Sequence, residues 1–238
     1  MSGHNKWSGI KHRKGAQDTK RANVFTKMGR LISIAAREGG GNPEANVKLK
    51  FAIDQARKFN MPKDNIEKAI KKGTGELKDG TVIEEIIYEG YGPGNVAMLI
   101  KTATDNKNRT FNEIRSILTK SGGKIVPEGS VSFLFKQVGS IEVLLNGKKL
   151  EEAELEVIEA GAEDTEYFEE VLTVYTKVEE LWKVKEALEE KGFTVESASL
   201  VFIPTQKTEL ASEFKTAYED LLDKLDEHDD AQEVFDNL

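Results

Sequence analysis

The sequence predicts an α+β multidomain protein: an all-helical N-terminal domain followed by two α/β (α+β sandwich-like) domains, one inserted in the other. Three observations predict it. Apolar residues recur at three- and four-residue steps through the first eighty residues, the period of helices with one buried face. Beyond them, short apolar runs such as 95–103 (NVAMLIKTA) and 130–137 (SVSFLFKQ) alternate with helical segments and read as strands. Charge changes sign at the same place. Residues 1–80 hold 18 Lys and Arg against 8 Asp and Glu, whereas residues 81–238 hold 16 against 34. At about 100–200 residues per domain, 238 residues leave room for two domains or three small ones.

Residues 1–15 (MSGHNKWSGIKHRKG) show no period and contain three glycines, so they read as an exposed arm. Ala22, Phe25, Met28, Leu31, Ile32 and Ala35 then make one apolar helix face, which Gly39-Gly40-Gly41 ends. Asn42-Pro43 predicts a restart, with Asn42 as N-cap and Pro43 in the first turn. Leu49, Ala52, Ile53, Ala56 and Phe59 form its inward face. Met61-Pro62 opens a short third helix with Asp64 in its first turn. There Ile66, Ala69 and Ile70 face inward and the lysines at 63, 68, 71 and 72 do not. Arm and three helices make a domain over 1–80.

Strands are expected at 81–89 and 95–103, joined by Gly90-Tyr91-Gly92-Pro93-Gly94 as a turn. This G-x-G-x-G is not a dinucleotide loop, because no helix follows it and Pro93 removes an amide that could face a phosphate. Thr110-x-x-Glu113 reads as a capping box for a helix over 110–121. Strands at 130–137 and 139–145, a helix at 150–160, a strand at 167–176, a helix at 178–190 and a strand at 193–203 follow. A helix over 207–225 and a short strand near 232–236 close the chain. This order predicts an inserted α+β domain over 130–204 and a split α/β domain from 81–129 plus 205–238.

Few function classes survive inspection. There are no cysteines, which excludes a disulfide scaffold, thiolate metal sites and a cysteine nucleophile. No run approaches the ~20 apolar residues of a membrane span, and no apolar signal-peptide core opens the chain. P-loop, nucleophile-elbow and H-E-x-x-H patterns are missing. His4 and His12, eight apart without a cysteine, fall short of the three or four ligands zinc needs, and polar or phosphate-facing histidines are the better reading. The acidic clusters at 163–170 and 226–230 match no calcium loop and read as solvated faces. No catalytic residue, metal or cofactor is expected, and nothing resembles a coiled coil, so the chain reads as a monomer.

What remains is the basic end. Lys6, Lys11, Arg13, Lys14, Lys20, Arg21, Lys27 and Arg30 stand against Asp18 alone, with His12 and Trp7 interleaved. Lysine and arginine neutralise phosphates and release counterions. An exposed tryptophan can stack on an unpaired base, although Trp7 can equally anchor the arm on the helices. The competing reading of these charges is that the basic domain docks on the chain's own acidic body. A second patch, Lys107, Arg109, Arg115, Lys120 and Lys124, lies inside that body. Its plain reading is an ordinary helix surface, with Asn106 and Asn108 shaping the turn and cap.

MSGHNKWSGIKHRKGAQDTKRANVFTK, GGGNPEANVKLKFAIDQARKFNMPKDNIEKAIKKGTGE, TDNKNRTFNEIRSILTKSGGKI, GSVSFLF and LDEHDDAQEVFDN resemble successive segments of the YebC family, across essentially the whole chain. Asn5 stands where the family's opening usually has Ser. The resemblance implies three domains, one inserted in another, a cytoplasmic location and no established catalytic residues. Because the arm resembles the family's mature start, no cleaved presequence is expected. Two roles are implied: a DNA-binding transcriptional regulator, and a ribosomal-RNA-binding translation factor that relieves stalled ribosomes. The residues themselves show no helix-turn-helix, zinc finger or dimer repeat for reading half-sites, and a basic arm with one Trp suits RNA. The two readings share one partner class, nucleic acid, with the ribosome as a further partner.

Overall fold

The structure, a computed structural model, describes residues 17–77, 82–168 and 170–238, with residues 17–21 described by backbone alone. The arm expected over residues 1–15 lies outside the described residues. The chain divides into two compact units. One comprises the described residues up to Leu134 together with Pro204–Leu238; the other is Phe135–Ile203.

The first unit begins with α1 (Gln17–Gly39), α2 (Val47–Lys58) and α3 (Lys63–Gly73). The apolar periodicity becomes one small core: Met28, Ile32, Ala35 and Ala36 meet Leu49, Ile53, Ala56, Met61, Ile66 and Ala69. Helices α1 and α3 approach backbone to backbone. A Cβ built on Gly73 would lie 2.2 Å from the Ser33 carbonyl oxygen, so only glycine lets the helices approach this closely. Ser33 Oγ donates to the Ala69 carbonyl at 2.8 Å across the same contact. The start of α2 differs from expectation. Asn42 organises only a turn, with its side chain accepting from the Glu44 amide. The N-cap is Asn46, which accepts from the Leu49 amide and donates to the carbonyls of Ala35 and Gly40.

The unit continues with β1 (Glu84–Tyr91), β2 (Ala97–Thr104), α4 (Lys107–Lys120), β3 (Lys124–Val126), α7 (Lys215–Glu227) and β8 (Ala231–Asp236). The strands form an antiparallel sheet ordered β3-β1-β2-β8. Val96, Met98, Ile100 and Ala231 pack against Ile114 and Leu118 of α4 and Tyr218, Leu221, Leu222 and Leu225 of α7. Both β1 and β2 end later than expected, because β1 continues through Gly90 and Tyr91 before the turn. There Gly94 takes a φ of +72°, a left-handed conformation suited to glycine. Helix α4 starts earlier than the capping box implied. Asn106 is the N-cap and accepts from the Arg109 amide, while Thr110 is buried inside the helix. Strand β3 was not expected, and α7 begins at Lys215 rather than near 207, after a short 3-10 turn.

The second unit holds β4 (Phe135–Leu144), α5 (Leu150–Glu159), β5 (Asp164–Phe168), β6 (Val171–Thr176), α6 (Leu181–Glu190) and β7 (Thr194–Pro204), with sheet order β5-β6-β4-β7. Two expectations are corrected here. Residues 130–137 and 139–145 are not two strands: one strand runs through Gly139, where a Cβ would strike Thr176 Oγ1 at 2.2 Å. Residues 167–176 are not one strand: Tyr167 and Phe168 end β5, the chain turns with Glu170 at a φ of 69°, and β6 returns antiparallel to it. Among the described residues no helix is long and apolar enough to cross a membrane.

Candidate nucleic-acid interface

The expected contact residues fall into three groups. Lys6, Trp7, Lys11, His12, Arg13 and Lys14 lie outside the described residues, and Lys20 and Arg21 belong to the part of α1 described by backbone alone. Lys27 and Arg30 are described in full, and both side chains are engaged within the chain.

Lys27 is 2% exposed. Its Nζ donates to the Asp226 carbonyl at 2.6 Å and to Asp226 Oδ1 at 3.3 Å. Burial pulls the Lys27 pKa down, and the opposing pull of Asp226 does not restore it. One turn on, the Arg30 guanidinium donates to the carbonyls of Ala103 (2.8 Å) and Asp229 (2.7 Å) and to the Asp230 carboxylate. Asn23 Nδ2 adds a bond to the Glu227 carbonyl at 3.0 Å. For these two side chains the docking of basic helix on acidic body, one of the two readings of the charge asymmetry, describes the geometry.

Asp230 is the centre of this contact. Its side chain is 2% exposed and accepts from Arg30, from Arg109 Nη2 at 2.8 Å and from Thr110 Oγ1. Burial alone would raise its carboxyl, but Thr110, Arg109 and Arg30 outweigh burial and hold it at about 2. The 226–230 cluster is therefore not simply a solvated acidic face. His228 extends the network: its Nδ1 accepts from the Asp230 amide at 3.1 Å, which leaves Nε2–H to donate to Glu113 Oε2 at 2.9 Å. Glu113, His228 and Asp230 bring ligand atoms within 4.8 Å of one another. The trio does not suit a metal ion, because two guanidinium groups and a hydroxyl already take the Asp230 oxygens that a cation would need.

The second basic patch is scattered by its partners. Lys107 Nζ lies 2.7 Å from Glu84, and Arg109 belongs to the Asp230 network. Lys124 stands over the Tyr91 ring at 5.3 Å. Arg115 and Lys120 are exposed and form no ion pair with the described residues. Lys101, nearby in sequence, is enclosed between Glu85 and Glu233 at 3.4 Å each. Burial would lower its pKa, but the two carboxylates raise it above the ordinary lysine value.

One further buried charge organises the sheet. Glu89 of β1 accepts backbone N–H bonds from Gly129 (2.7 Å), Val131 (2.6 Å) and Ser132 (3.1 Å), so it pins the 129–132 loop. Burial pushes its carboxyl up, yet these amides win and hold it below the usual carboxylate value. Sequence reasoning missed Asp226, Asp230 and Glu89 because the groups that surround them are distant in the chain. The only local hint was a four-acid run placed late in a chain whose basic residues come early.

Comparison with known proteins agrees over the full length. Residues 5–76 match the profile described as "TACO1/YebC protein N-terminal domain", and residues 83–238 match "TACO1/YebC second and third domain". A "Probable transcriptional regulatory protein" of Trichlorobacter lovleyi is 49% identical, covering 100% of this chain and 96% of that one. A protein of the same description from Thermotoga maritima is also 49% identical, covering 100% and 94%. Among solved structures, "Conserved Hypothetical Protein Aq1575" from Aquifex aeolicus superposes with a TM-score of 0.89 at 46% identity, over 97% of this chain and 95% of that one.

Proposed function

Because this chain belongs to the TACO1/YebC family, we propose that it is a non-enzymatic regulator of gene expression that binds nucleic acid through its N-terminal region. The observation that carries the reading is the segregation of charge. Eighteen cationic residues against eight acidic ones fill the first 80 positions, ahead of a strongly acidic body. Such asymmetry suits a chain that presents one end to phosphate while the other repels it. The relatives' description as transcriptional regulators supports DNA as the target.

A second reading, a ribosomal-RNA-binding activator of translation, is favoured by the kind of cation present. The arm is rich in lysine, which positions a protein on a phosphate backbone more readily than it reads base edges. One tryptophan within it suits an unpaired base. Crosslinking in cells followed by sequencing of all bound nucleic acid separates the two. Discrete promoter DNA supports the transcriptional reading, and ribosomal RNA at one site supports the translational one. Replacing Lys11, Arg13 and Lys14 together by Glu is expected to abolish binding with an unchanged melting curve. Retained affinity would refute the arm's role.

A further inference from the structure

We propose that the outward face of α3, carrying Lys68, Lys71 and Lys72, is a second phosphodiester-binding surface. The proposal rests on the nucleic-acid reading above and names a new part of its interface.

The starting point is where the helical region directs its cations. Lys27 and Arg30 of α1 are turned into the acidic turn at 226–230. Lys48 pairs with Glu38 at 2.9 Å, Arg57 with Asp54 at 3.2 Å and Lys63 with Glu67 at 3.6 Å. Lys68, Lys71 and Lys72 form no ion pair with any described residue. Asp64 and Glu67 stand four residues before Lys68 and Lys71, the spacing at which helix ion pairs form, but Asp64 makes no such pair and Glu67 turns to Lys63.

Geometry makes these three a surface. Ile66, Ala69 and Gly73 face the core, at steps of three, four and seven residues. Lys68 and Lys71 fall on the exposed opposite side three residues apart, and the half-buried Lys72 flanks them one turn after Lys68. Lys68 and Lys72 are about 6 Å apart along the axis at 1.5 Å per residue, so their flexible stems can reach neighbouring phosphates of one strand. The helix beneath is held firmly by the Gly73–Ser33 approach and the Ser33–Ala69 hydrogen bond. Like charges at these spacings repel one another, so the face is poorly satisfied until anions arrive. The helix dipole accounts for cations at Lys71 and Lys72, in the last turn, but not for Lys68 one turn earlier.

The occupant is the sugar–phosphate backbone, which duplex DNA and RNA share. The experiment uses the full-length protein and two labelled probes, a DNA duplex and an RNA hairpin with single-stranded flanks. Binding is followed by fluorescence anisotropy across a fourfold rise in salt. The Lys68→Gln/Lys71→Gln/Lys72→Gln variant is compared with wild type and with the arm variant. At about 0.7–0.9 of slope per phosphate contact, losing three contacts flattens log K against log salt by about 2–3. Over that salt range, wild type then loses about 20–40-fold more affinity than the variant. The probe that shows the flattening identifies the nucleic acid. An unchanged slope in the α3 variant, with binding lost in the arm variant, overturns this proposal and leaves the functional reading standing. A wild type that binds neither probe, or an arm variant that binds as wild type does, overturns the reading and the proposal together. Circular dichroism and melting should match wild type, because none of the three side chains contributes to the core.

Discussion

Replacing Asp230 by Asn tests the central claim about how α1 is attached to the sheet. The substitution keeps the shape and removes the charge on which Arg30, Arg109 and Thr110 converge. The carboxyl sits at about 2 in the folded protein against an ordinary 3.8, and that gap is worth roughly 2 kcal/mol at neutral pH. A second cost comes from Arg30, whose side chain is only 15% exposed and would keep its charge without its partner. Arg109 is exposed enough to return to water and adds little. Together the loss should be about 2–4 kcal/mol. The folded pKa lies below the unfolded one. The stabilisation is therefore complete above about pH 5 and is lost progressively as pH falls through 3.8 and below 2. Urea unfolding followed by circular dichroism should place the variant's first-unit transition well below wild type at pH 7, with a clearly smaller gap at about pH 2.5. Hydrogen exchange at pH 7 should show faster opening in α1 and β8 and no change in the second unit. A difference under about 0.5 kcal/mol at pH 7, or an equal difference at both pH values, would refute the assignment of Asp230 as a charged anchor.

Two other substitutions probe single contacts. Gly73→Ala places a methyl 2.2 Å from the Ser33 carbonyl and 2.9 Å from Ala36 Cβ, so α3 must move off α1. A loss of about 2–3 kcal/mol and a lower melting temperature are expected, and a variant as stable as wild type would show that the two helices can slide apart freely. Glu89→Gln keeps one acceptor where three amides now converge on a carboxylate. It should cost about 2 kcal/mol and raise hydrogen exchange at Gly129, Val131 and Ser132 specifically. Unchanged protection there would mean that the loop is held by something else.

The family segments and the positions of most helices were legible because both are written locally. An apolar residue every three or four positions forces one face inward wherever the helix lies, and Ile32, Leu49, Ile53 and Ile66 all became core. Local signals failed where two candidates competed within a few residues. Asn42-Pro43 carries a strong start signal, but Asn46 won the cap because its amide also reaches Ala35 and Gly40 on the end of α1. Thr110 matched a capping box, but its hydroxyl bonds Thr104 Oγ1 at 2.7 Å and Asp230, and the cap passed to Asn106. The break expected at 138 is absent, because the strand runs on through Gly139, where there is no room for a side chain.

Charge followed the same division. By itself the sequence determined that the cations cluster at one end, that cysteine chemistry is absent and that the apolar period is helical there, since these are counts and spacings along the chain. Only the tertiary structure decided which cations remain available. Lys27 and Arg30 meet Asp226 and Asp230 about 200 positions away, and Lys68, Lys71 and Lys72 meet no carboxylate at all among the described residues. The reason is physical: an ion pair depends on distance in space and on burial, and neither quantity is carried by composition or by spacing along the chain.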